Sequence, residues 1–293
     1  MMFTFFSDIL NLLSKEESKL FNSSINIVKR TIRKRPNNSH KGTFGKVCII
    51  GGNQNFGGAA IMASKACVYS GAGLTTTFTD PVNLDSLHNI IPEAMFVDYH
   101  DDNKLKSMIN SFDVILIGPG LGTDDYSLSL VNQVFEQINN HQILIIDGSA
   151  ITIVANHHLT LPDANIIFTP HQMEWQRLSD IAIPDQNDKN NQNKVNALHS
   201  TVVLKSHHTK VYSNNHIWVN PGGTPAQATG GMGDTLAGMI AGFTAQFANT
   251  EDAVISAVFA HSFIADKLAK NQYVVLPTQI SDHIPQFMKK FEN

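Results

Sequence analysis

The chain has 293 residues, 42% of them hydrophobic, and a formal net charge of -4. This length and composition are typical of a soluble globular protein with one large α/β domain or two small ones. The slight acidic excess excludes a general attraction to nucleic acid or to an anionic membrane surface. No segment reaches the roughly 20 apolar residues that a membrane span needs.

The N-terminal part of the chain differs from the rest in its pattern. Residues 1–13 are apolar but include Asp8 and follow no basic residue, so we expect a short amphipathic helix rather than a secretory signal. The basic run at residues 29–36 is expected to be solvated. We therefore predict a lead-in over residues 1–39, with a helix and a basic segment, and a single domain over residues 40–293.

From residue 45 onward, apolar β-like runs alternate with amphipathic helical stretches, which predicts strands covered by helices. The predicted strands are "KVCIIGG", "AGLTTTF", "FDVILIG", "QILIID", "NIIFTP" and "TVVLKS". The predicted helices cover residues 59–70, 126–139, 173–179, 189–199, 235–248 and 253–269, with one more after Pro277. The alternation indicates an α/β fold with a mostly parallel central sheet and helices on both faces.

Two further local patterns complete this prediction. Residues 209–220 contain two short β-like runs around Asn214 and Asn215, which is typical of a hairpin. Cys48 and Cys67 have neither disulfide-framework nor zinc spacing. We interpret both as buried thiols in a reducing cytoplasm.

Ligands of such sheets bind at the carboxyl ends of the strands, so the loops that follow the strands carry the functional signals. The loop "GGNQNFGGAA" at residues 51–60 is neither a Walker loop nor a dinucleotide fingerprint, and tight strand-to-helix packing also explains its glycines. The loop "GPGLG" at residues 118–122 predicts a stiff turn, either an anion nest with exposed N–H groups or a plain turn.

Four polar side chains follow the next three strands. Asp147 in "DGSA" could orient a metal-bound water or cap the following helix. His171 and Glu174 in "FTPHQMEW" lie one helical turn apart and can share a face, but the spacing does not fit a zinc site. Lys205 ends a strand and could contact a phosphate or pair with an acid.

The segment "ATGGMGDTLAGMIAG" at residues 228–242 places glycines directly before an aspartate and a helix. Gly230, Gly231 and Gly233 permit backbone angles that side chains forbid, and the N-terminus of a helix attracts anions. These glycines therefore predict an anion hole. Asp234 must either cap the helix or face a reacting group.

The order of these motifs resembles that of the ADP- or ATP-dependent NAD(P)H-hydrate dehydratases, which have the ribokinase-like fold, from about His40 to Gln246. The resemblance implies a three-layer α/β/α architecture. It also implies transfer of a phosphoryl group from the nucleotide to the hydroxyl of hydrated NADH or NADPH, followed by elimination that restores the dinucleotide.

The resemblance implies residue roles position by position. Asp234 matches the catalytic aspartate. The hydrated dinucleotide would be contacted by Ala59, Gly122, His171 and Asp234. ADP or ATP would be bound by Lys205, Ser206, His207, His208, Thr209 and Gly233. Mg²⁺ would help to neutralise the transferring group, with no residue assigned to the metal. From the residues alone, the pair His207 and His208, like the pair at residues 157–158, is interpreted as surface.

Four positions depart from the usual motifs of this family and affect binding more than catalysis. Ser149 stands where a second aspartate is usual, Gln172 and Met173 replace Pro-Gly, and Ser206 replaces a glycine. Two alternatives to the dehydratase remain open. One is a kinase of the same fold that phosphorylates a hydroxymethyl group, and the other is a catalytically silent nucleotide-binding protein.

The resemblance also implies partners and an assembly. We favour ADP as the donor because bacterial relatives generally use it. The segment before His40 is too short for the fused epimerase domain of some relatives, so a separate NAD(P)H-hydrate epimerase is expected. The resemblance implies a cytoplasmic homo-oligomer, with a tetramer expected, in which the apolar N-terminal residues Phe3, Phe5, Phe6 and Ile9 could form part of an interface.

Overall fold

The protein is described by a computed structural model that covers residues 15–293. Within these residues a single nine-stranded sheet has the order β3-β2-β1-β4-β5-β6-β7-β8-β9. The strands are Lys46–Ile50 (β1), Leu74–Thr79 (β2), Met95–Asp98 (β3), Val114–Ile117 (β4), Ile143–Ile146 (β5), Asn165–Phe168 (β6), Thr201–Leu204 (β7), Lys210–Ser213 (β8) and His216–Val219 (β9). Neighbours from β3 to β7 pair in parallel, whereas β7, β8 and β9 pair antiparallel.

Helices connect the parallel strands and close the chain. They are Lys15–Thr31 (α1), Gly57–Tyr69 (α2), Leu84–Ile90 (α3), Asp102–Met108 (α4), Asp125–Gln137 (α5), Gly148–Asn156 (α6), Gln172–Ser179 (α7), Asp188–Ala197 (α8), Met232–Gln246 (α9), Thr250–Ala269 (α10) and Pro277–Phe291 (α11). Among the described residues, no helix is both long and apolar enough to span a membrane.

The core consists of two apolar layers, one on each face of the sheet. Alternate residues of β1 point to opposite faces, so Val47 and Ile49 join the layer formed with α1, α2, α9, α10 and α11. Cys48 and Ile50 join the opposite layer, formed with α5 to α8. The fold is therefore the predicted three-layer α/β/α architecture with a mostly parallel sheet.

The predicted elements are confirmed within about three residues at most ends. All six predicted strands and all seven predicted helices are present, and the hairpin β8–β9 turns at Asn214 and Asn215, whose φ angles are 39° and 63°. Cys48 and Cys67 are buried free thiols, as predicted. The sequence analysis did not predict helix α1, strand β3 or the short helices α3 and α4.

Helix α1 packs onto the domain. Phe21 and Val28 of this helix lie in the same apolar layer as Phe259 of α10. Arg30, within the basic run, forms an ion pair with Asp252, with 2.6 Å between Nη2 and Oδ1. The predicted helix over residues 1–13, with Phe3, Phe5, Phe6 and Ile9, lies outside the described residues.

Helices α2 and α9 approach each other closely because glycines of α9 face α2. A Cβ atom added at Gly238 would overlap the carbonyl oxygen of Ala63. One added at Gly242 would lie 2.6 Å from Ser70 Cβ and 2.8 Å from the carbonyl oxygen of Cys67. These two helices begin at the same edge of the sheet, so their contact fixes the relative position of the two loops that precede them.

Candidate active site

Lys205 is the centre of a charge cluster at the carboxyl ends of β5, β6 and β7. Its Nζ donates a hydrogen bond to Asp147 Oδ1 at 2.9 Å and lies 4.0 Å from Glu174 Oε2. Its backbone N–H donates to the carbonyl of Pro170 at 2.8 Å, which extends the β6–β7 pairing to the site. Burial lowers the pKa of Lys205, but the carboxylates of Asp147 and Glu174 raise it by a larger amount. The pKa therefore lies above its ordinary value, and the lysine is a cation.

Asp147 is held by side chains and does not cap the following helix. It precedes α6, but its side chain makes no capping hydrogen bond. Instead, its Oδ1 accepts hydrogen bonds from Thr169 Oγ1 at 2.6 Å and from Lys205 Nζ. The helix-cap interpretation of Asp147 is therefore wrong, because two buried or partly buried donors compete successfully for the carboxylate. Of the two interpretations of Lys205, pairing with an acid is confirmed.

Asp234 lies in the first turn of α9, two residues after the helix begins at Met232. The helix N-cap is Gly231, so the carboxylate of Asp234 is not an N-cap group. Burial, and then the nearby negative charge of Asp147, raise the pKa of Asp234 to about 6, while Lys205 opposes the shift. Asp234 is therefore a carboxyl group whose proton affinity is suited to accepting a proton near neutral pH.

His171 and Glu174 form a reciprocal cap at the start of α7. His171 Nδ1 accepts from the backbone N–H groups of Met173 and Glu174 at 3.1 and 3.3 Å, and Glu174 Oε2 accepts from His171 N at 2.8 Å. Burial, and then Lys205, lower the pKa of His171. Since Nδ1 is an acceptor, the neutral ring carries its proton on Nε2, which lies 3.5 Å from Glu174 Oε1, and about half of this side chain is exposed.

The loops after β1 and β4 are hydrogen-bonded to each other. Gly52 N donates to the Pro119 carbonyl and Asn53 N to the Gly120 carbonyl, both at 2.8 Å. Gly120 has φ 62°, and a Cβ atom there would lie 2.9 Å from Ala59 Cβ. The two loops therefore form one rigid unit, in which Ala59 lies directly beside the "GPGLG" turn.

Most N–H groups of the turn already donate hydrogen bonds to other groups of the protein. Gly118 N donates to the Ile50 carbonyl at 3.0 Å, and Leu121 N donates to the Gly118 carbonyl at 3.0 Å. Gly122 N donates to Ser149 Oγ at 3.2 Å. These bonds favour the plain-turn interpretation over an anion nest. They also show that Ser149, one of the departures from the family motif, contacts a predicted substrate-binding residue.

A cavity of about 390 Å³ opens beside the N-terminus of α9, and we call it the nucleotide cavity. Its walls include five of the six residues predicted to bind the nucleotide, namely Lys205, Ser206, His207, Thr209 and Gly233. The sixth, His208, is absent from these walls, and its Nδ1 lies 3.1 Å from the carbonyl oxygen of Asn220. His207 and His208 are both exposed, as are residues 157 and 158.

The three glycines of the predicted anion hole differ in their surroundings. Gly231 has φ 92°, and a Cβ atom there would overlap the Met62 thioether. A Cβ atom at Gly233 would lie 3.1 Å from Lys205 Nζ, whereas one at Gly230 would have no heavy atom within 4 Å. Gly231 is thus required by the backbone, whereas a side chain at Gly233 would need only a small shift of Lys205 and one at Gly230 would meet no neighbour.

The sequence analysis missed several residues of the cavity wall. Thr224, Pro225 and Gln227 form a short turn, and His261 and Ser262 come from the middle of α10. None follows a parallel strand, and the turn lies between the glycine pairs at residues 222–223 and 230–231, of which the sequence analysis used only the second. The available signal was a histidine in an otherwise apolar helix, which by itself is usually a core residue.

The described residues contain no group of three or more His, Cys, Asp and Glu side chains arranged to hold a metal ion.

A larger cavity, of about 440 Å³, lies near the opposite ends of β6 and β7, where residues such as Asn165, Thr201 and Ser213 line it. It includes no residue of the predicted site.

The sheet, the first-turn aspartate of α9 and the adjoining cavity define an α/β protein of the ribokinase-like class. The NAD(P)H-hydrate dehydratase family model matches residues 47–286. A Lactiplantibacillus plantarum protein named ADP-dependent (S)-NAD(P)H-hydrate dehydratase is 56% identical, with 90% of this chain and 95% of the relative covered. The chain therefore belongs to the NAD(P)H-hydrate dehydratase family.

Solved structures agree with this assignment. A ribokinase-like superfamily protein from Enterococcus faecalis has a TM-score of 0.90 and 49% identity, with 92% of this chain and 95% of that chain covered. The ADP/ATP-dependent NAD(P)H-hydrate dehydratase from Bacillus subtilis, co-crystallised with ATP and Mg²⁺, has a TM-score of 0.82 and 26% identity, with 92% and 97% covered.

Proposed function

We propose that this protein is an ADP-dependent (S)-NAD(P)H-hydrate dehydratase, a lyase that repairs hydrated NADH and NADPH. The observation that carries the proposal is the position of Asp234 in the first turn of α9, next to Gly233 of the cavity wall and close enough to Asp147 and Lys205 for their charges to shift its pKa. A phosphoryl donor in the cavity and a hydroxyl acceptor at the loops would meet beside this carboxyl group. The relative that is 56% identical bears the name of this activity.

In the proposed mechanism Asp234 accepts the proton of the substrate hydroxyl as that oxygen attacks the terminal phosphorus of ADP. The attack breaks the bond to the bridging oxygen and leaves AMP. Phosphorylation converts a poor leaving group into a good one, so that elimination of phosphate restores the reduced nicotinamide ring. A positioned general base contributes about 10²- to 10⁴-fold to such a step.

Lys205 and the start of α9 would stabilise the phosphates. Lys205 Nζ lies close to Gly233, at the positive end of the α9 dipole. The Nε2–H of His171 would donate to the dinucleotide, and Ala59 and Gly122 would contact it through small surfaces that allow close approach. Further contacts to the nucleotide would come from Ser206, His207, His208, Thr209, Gly230 and Gly231.

The donor groups near Lys205 fit a magnesium–nucleotide complex. Mg²⁺ is usually held by one or two carboxylates together with phosphate oxygens, and the carboxylates of Asp147 and Glu174 both face Lys205. These two residues would hold the ion with the bound nucleotide. When bound, Mg²⁺ neutralises charge on the transferring phosphoryl group.

The proposal is tested by incubating the purified protein with hydrated NADH, Mg²⁺ and ADP or ATP, and following the recovery of reduced-nicotinamide absorbance. Recovery supports the dehydratase, and the comparison of ADP with ATP identifies the donor. A stable phosphorylated product would instead indicate a hydroxymethyl kinase. Nucleotide binding without turnover would indicate a silent binding protein.

The remaining features follow from the same proposal. We propose a cytoplasmic homotetramer that works beside a separate NAD(P)H-hydrate epimerase. We also retain the division into a lead-in over residues 1–39 and a catalytic domain over residues 40–293. Helix α1 contributes apolar residues to the core, so it would be a packed part of the protein rather than a mobile extension.

A further inference from the structure

One nitrogen atom in the wall of the nucleotide cavity has no partner in the described part of the chain. His261 lies in the middle of α10 with 7% of its surface exposed, and its ring lines the cavity. Its Nε2 atom is buried and makes no hydrogen bond. A buried polar group left unpaired costs about 1–3 kcal/mol, so such an atom at a cavity wall indicates a partner supplied by a ligand.

The neighbours of His261 identify this nitrogen as a donor. Gln227 Oε1 accepts from Thr224 N at 3.3 Å, which fixes the orientation of the amide. Gln227 Nε2 therefore faces His261 Nδ1, at 3.3 Å, and donates to it. With Nδ1 acting as an acceptor, the single proton of the neutral ring must be on Nε2.

The ring is neutral at physiological pH. Burial lowers the pKa of His261 to about 4, although the backbone at Met232 opposes part of this shift. A neutral N–H group can donate to an uncharged acceptor such as a ring nitrogen or a hydroxyl oxygen of a nucleoside. The cationic end of the cavity is supplied by Lys205, whereas Pro225, Ala228 and Leu236 give apolar surface to the same wall.

We propose that His261 donates a hydrogen bond from Nε2 to an acceptor atom of the adenosine part of the bound nucleotide, and so helps to select the donor. This inference rests on the proposed function, because it takes the occupant of the cavity to be ADP. Lys205 and Gly233 bind the phosphates, and His261 binds the nucleoside. The cavity volume of about 390 Å³ is in the usual range for small-molecule sites.

Two substitutions test the Nε2–H group of His261 separately from the rest of its side chain. In His261→Gln an amide nitrogen reaches the position of Nε2, whereas in His261→Asn the shorter side chain can still accept from Gln227 but does not reach that position. We expect the dissociation constant of ADP, measured by calorimetry, to rise about tenfold in the Asn variant, as for loss of one hydrogen bond. The Gln variant should stay within about threefold of the unmodified protein.

Pyrophosphate is the matched probe, because it can occupy only the phosphate end of the cavity. Its affinity should be equal in all three proteins. In turnover assays, the KM for ADP should rise in the Asn variant, while kcat at saturating ADP should stay within about twofold. Equal ADP affinity in the two variants, or parallel losses for ADP and pyrophosphate, would overturn the assignment of His261.

The outcomes remain separate from those that test the dehydratase. If the unmodified protein fails to restore hydrated NADH, the proposed function fails, but the calorimetric comparison can still be made. If the unmodified protein is active and ADP binds both variants equally well, only the role of His261 fails. Melting temperatures without nucleotide show whether the Asn variant is folded.

Discussion

Lys205 and Asp147 form an ion pair at 2.9 Å although they are 58 residues apart in the sequence. Only 3% of the Asp147 side chain and 19% of the Lys205 side chain are exposed. The pair joins the ends of β5 and β7 and places a cation beside the start of α9. We therefore expect its two members to affect both stability and nucleotide binding.

Replacing Lys205 by Met should lower the free energy of unfolding by about 2–3 kcal/mol, because Asp147 would be left buried without its cation. ADP affinity should fall in the same variant. The matched control is Lys210→Met, which breaks the exposed pair with Asp188 and should cost less than about 1 kcal/mol. Urea denaturation of both variants measures the loss in the free energy of unfolding. Equal losses in the two variants would show that the buried pair of Lys205 and Asp147 stabilises the fold no more than the exposed pair.

Replacing Asp234 by Asn should reduce turnover by about 10²- to 10⁴-fold while ADP affinity stays within about threefold. Asparagine keeps the size of the side chain but cannot accept the substrate proton. The control is Asp101→Asn, at the N-cap of α4, where Asp and Asn cap about equally well. If Asp234→Asn retained more than about a tenth of the activity, Asp234 would not be the general base.

The pKa of about 6 for Asp234 predicts an acid limb in the pH profile. Because the base must be ionised, kcat/KM of the free enzyme should fall about tenfold per pH unit below pH 6. A limb centred near pH 4 would show that the proton affinity of Asp234 is not raised.

The same shift predicts the pH dependence of stability. The pKa of Asp234 is raised in the folded state above its ordinary value of 3.8, so its contribution to stability is fully present below about pH 4. That contribution is lost as the pH rises through about 6. Asp234→Asn should therefore gain stability relative to the unmodified protein above pH 6, and the gain should disappear at pH 4. Denaturation midpoints at the two pH values measure this difference.

Alanine substitutions in the glycine loop should have unequal effects. Gly231→Ala forces a side chain into a left-handed conformation and against Met62, which costs about 1–3 kcal/mol and displaces the start of α9. Gly230→Ala meets no neighbouring atom and should change stability by less than about 0.5 kcal/mol. ADP affinity should fall only in the Gly231 variant. Similar affinities for the two variants would argue against a defined anion hole.

The proposed homotetramer predicts a mass about four times that of the 32.2 kDa chain in light scattering. Replacing the apolar N-terminal residues Phe3, Phe5, Phe6 and Ile9 by serine tests whether they contribute to the interface. Dissociation of the variant would support that contribution. A monomeric mass of the unmodified protein at working concentration would contradict the assembly.

The strands and the main helices could be predicted because each carries a strong local pattern. Strand β3 could not, since its four residues at the edge of the sheet are only partly buried and show no alternation. Helices α3 and α4 have seven residues each, too few for a periodic pattern to be distinguished from a loop. Here tertiary packing, rather than local propensity, determines the structure.

Like the fold, the candidate site could be predicted from the sequence only in part. The glycine-rich segment before Asp234 and the strand-end position of Lys205 are visible in the sequence. The partner of Lys205 is not visible in the sequence, because the position of Lys205 was compatible with an acid or with a phosphate. Only the strand order brings Asp147 to Lys205. His261 could not be predicted either, since nothing in α10 indicates which of its faces meets the cavity.

The glycine-mediated contact between α2 and α9 has a consequence for how this enzyme can diversify. Ala59 lies near the start of α2 and Asp234 near the start of α9, and the two helices touch through backbone atoms at Gly238. The separation of Ala59 and Asp234 is therefore set by main chain, not by side chains of the loops. A substitution such as Ser149, in the first turn of α6, therefore leaves the separation of Ala59 and Asp234 unchanged.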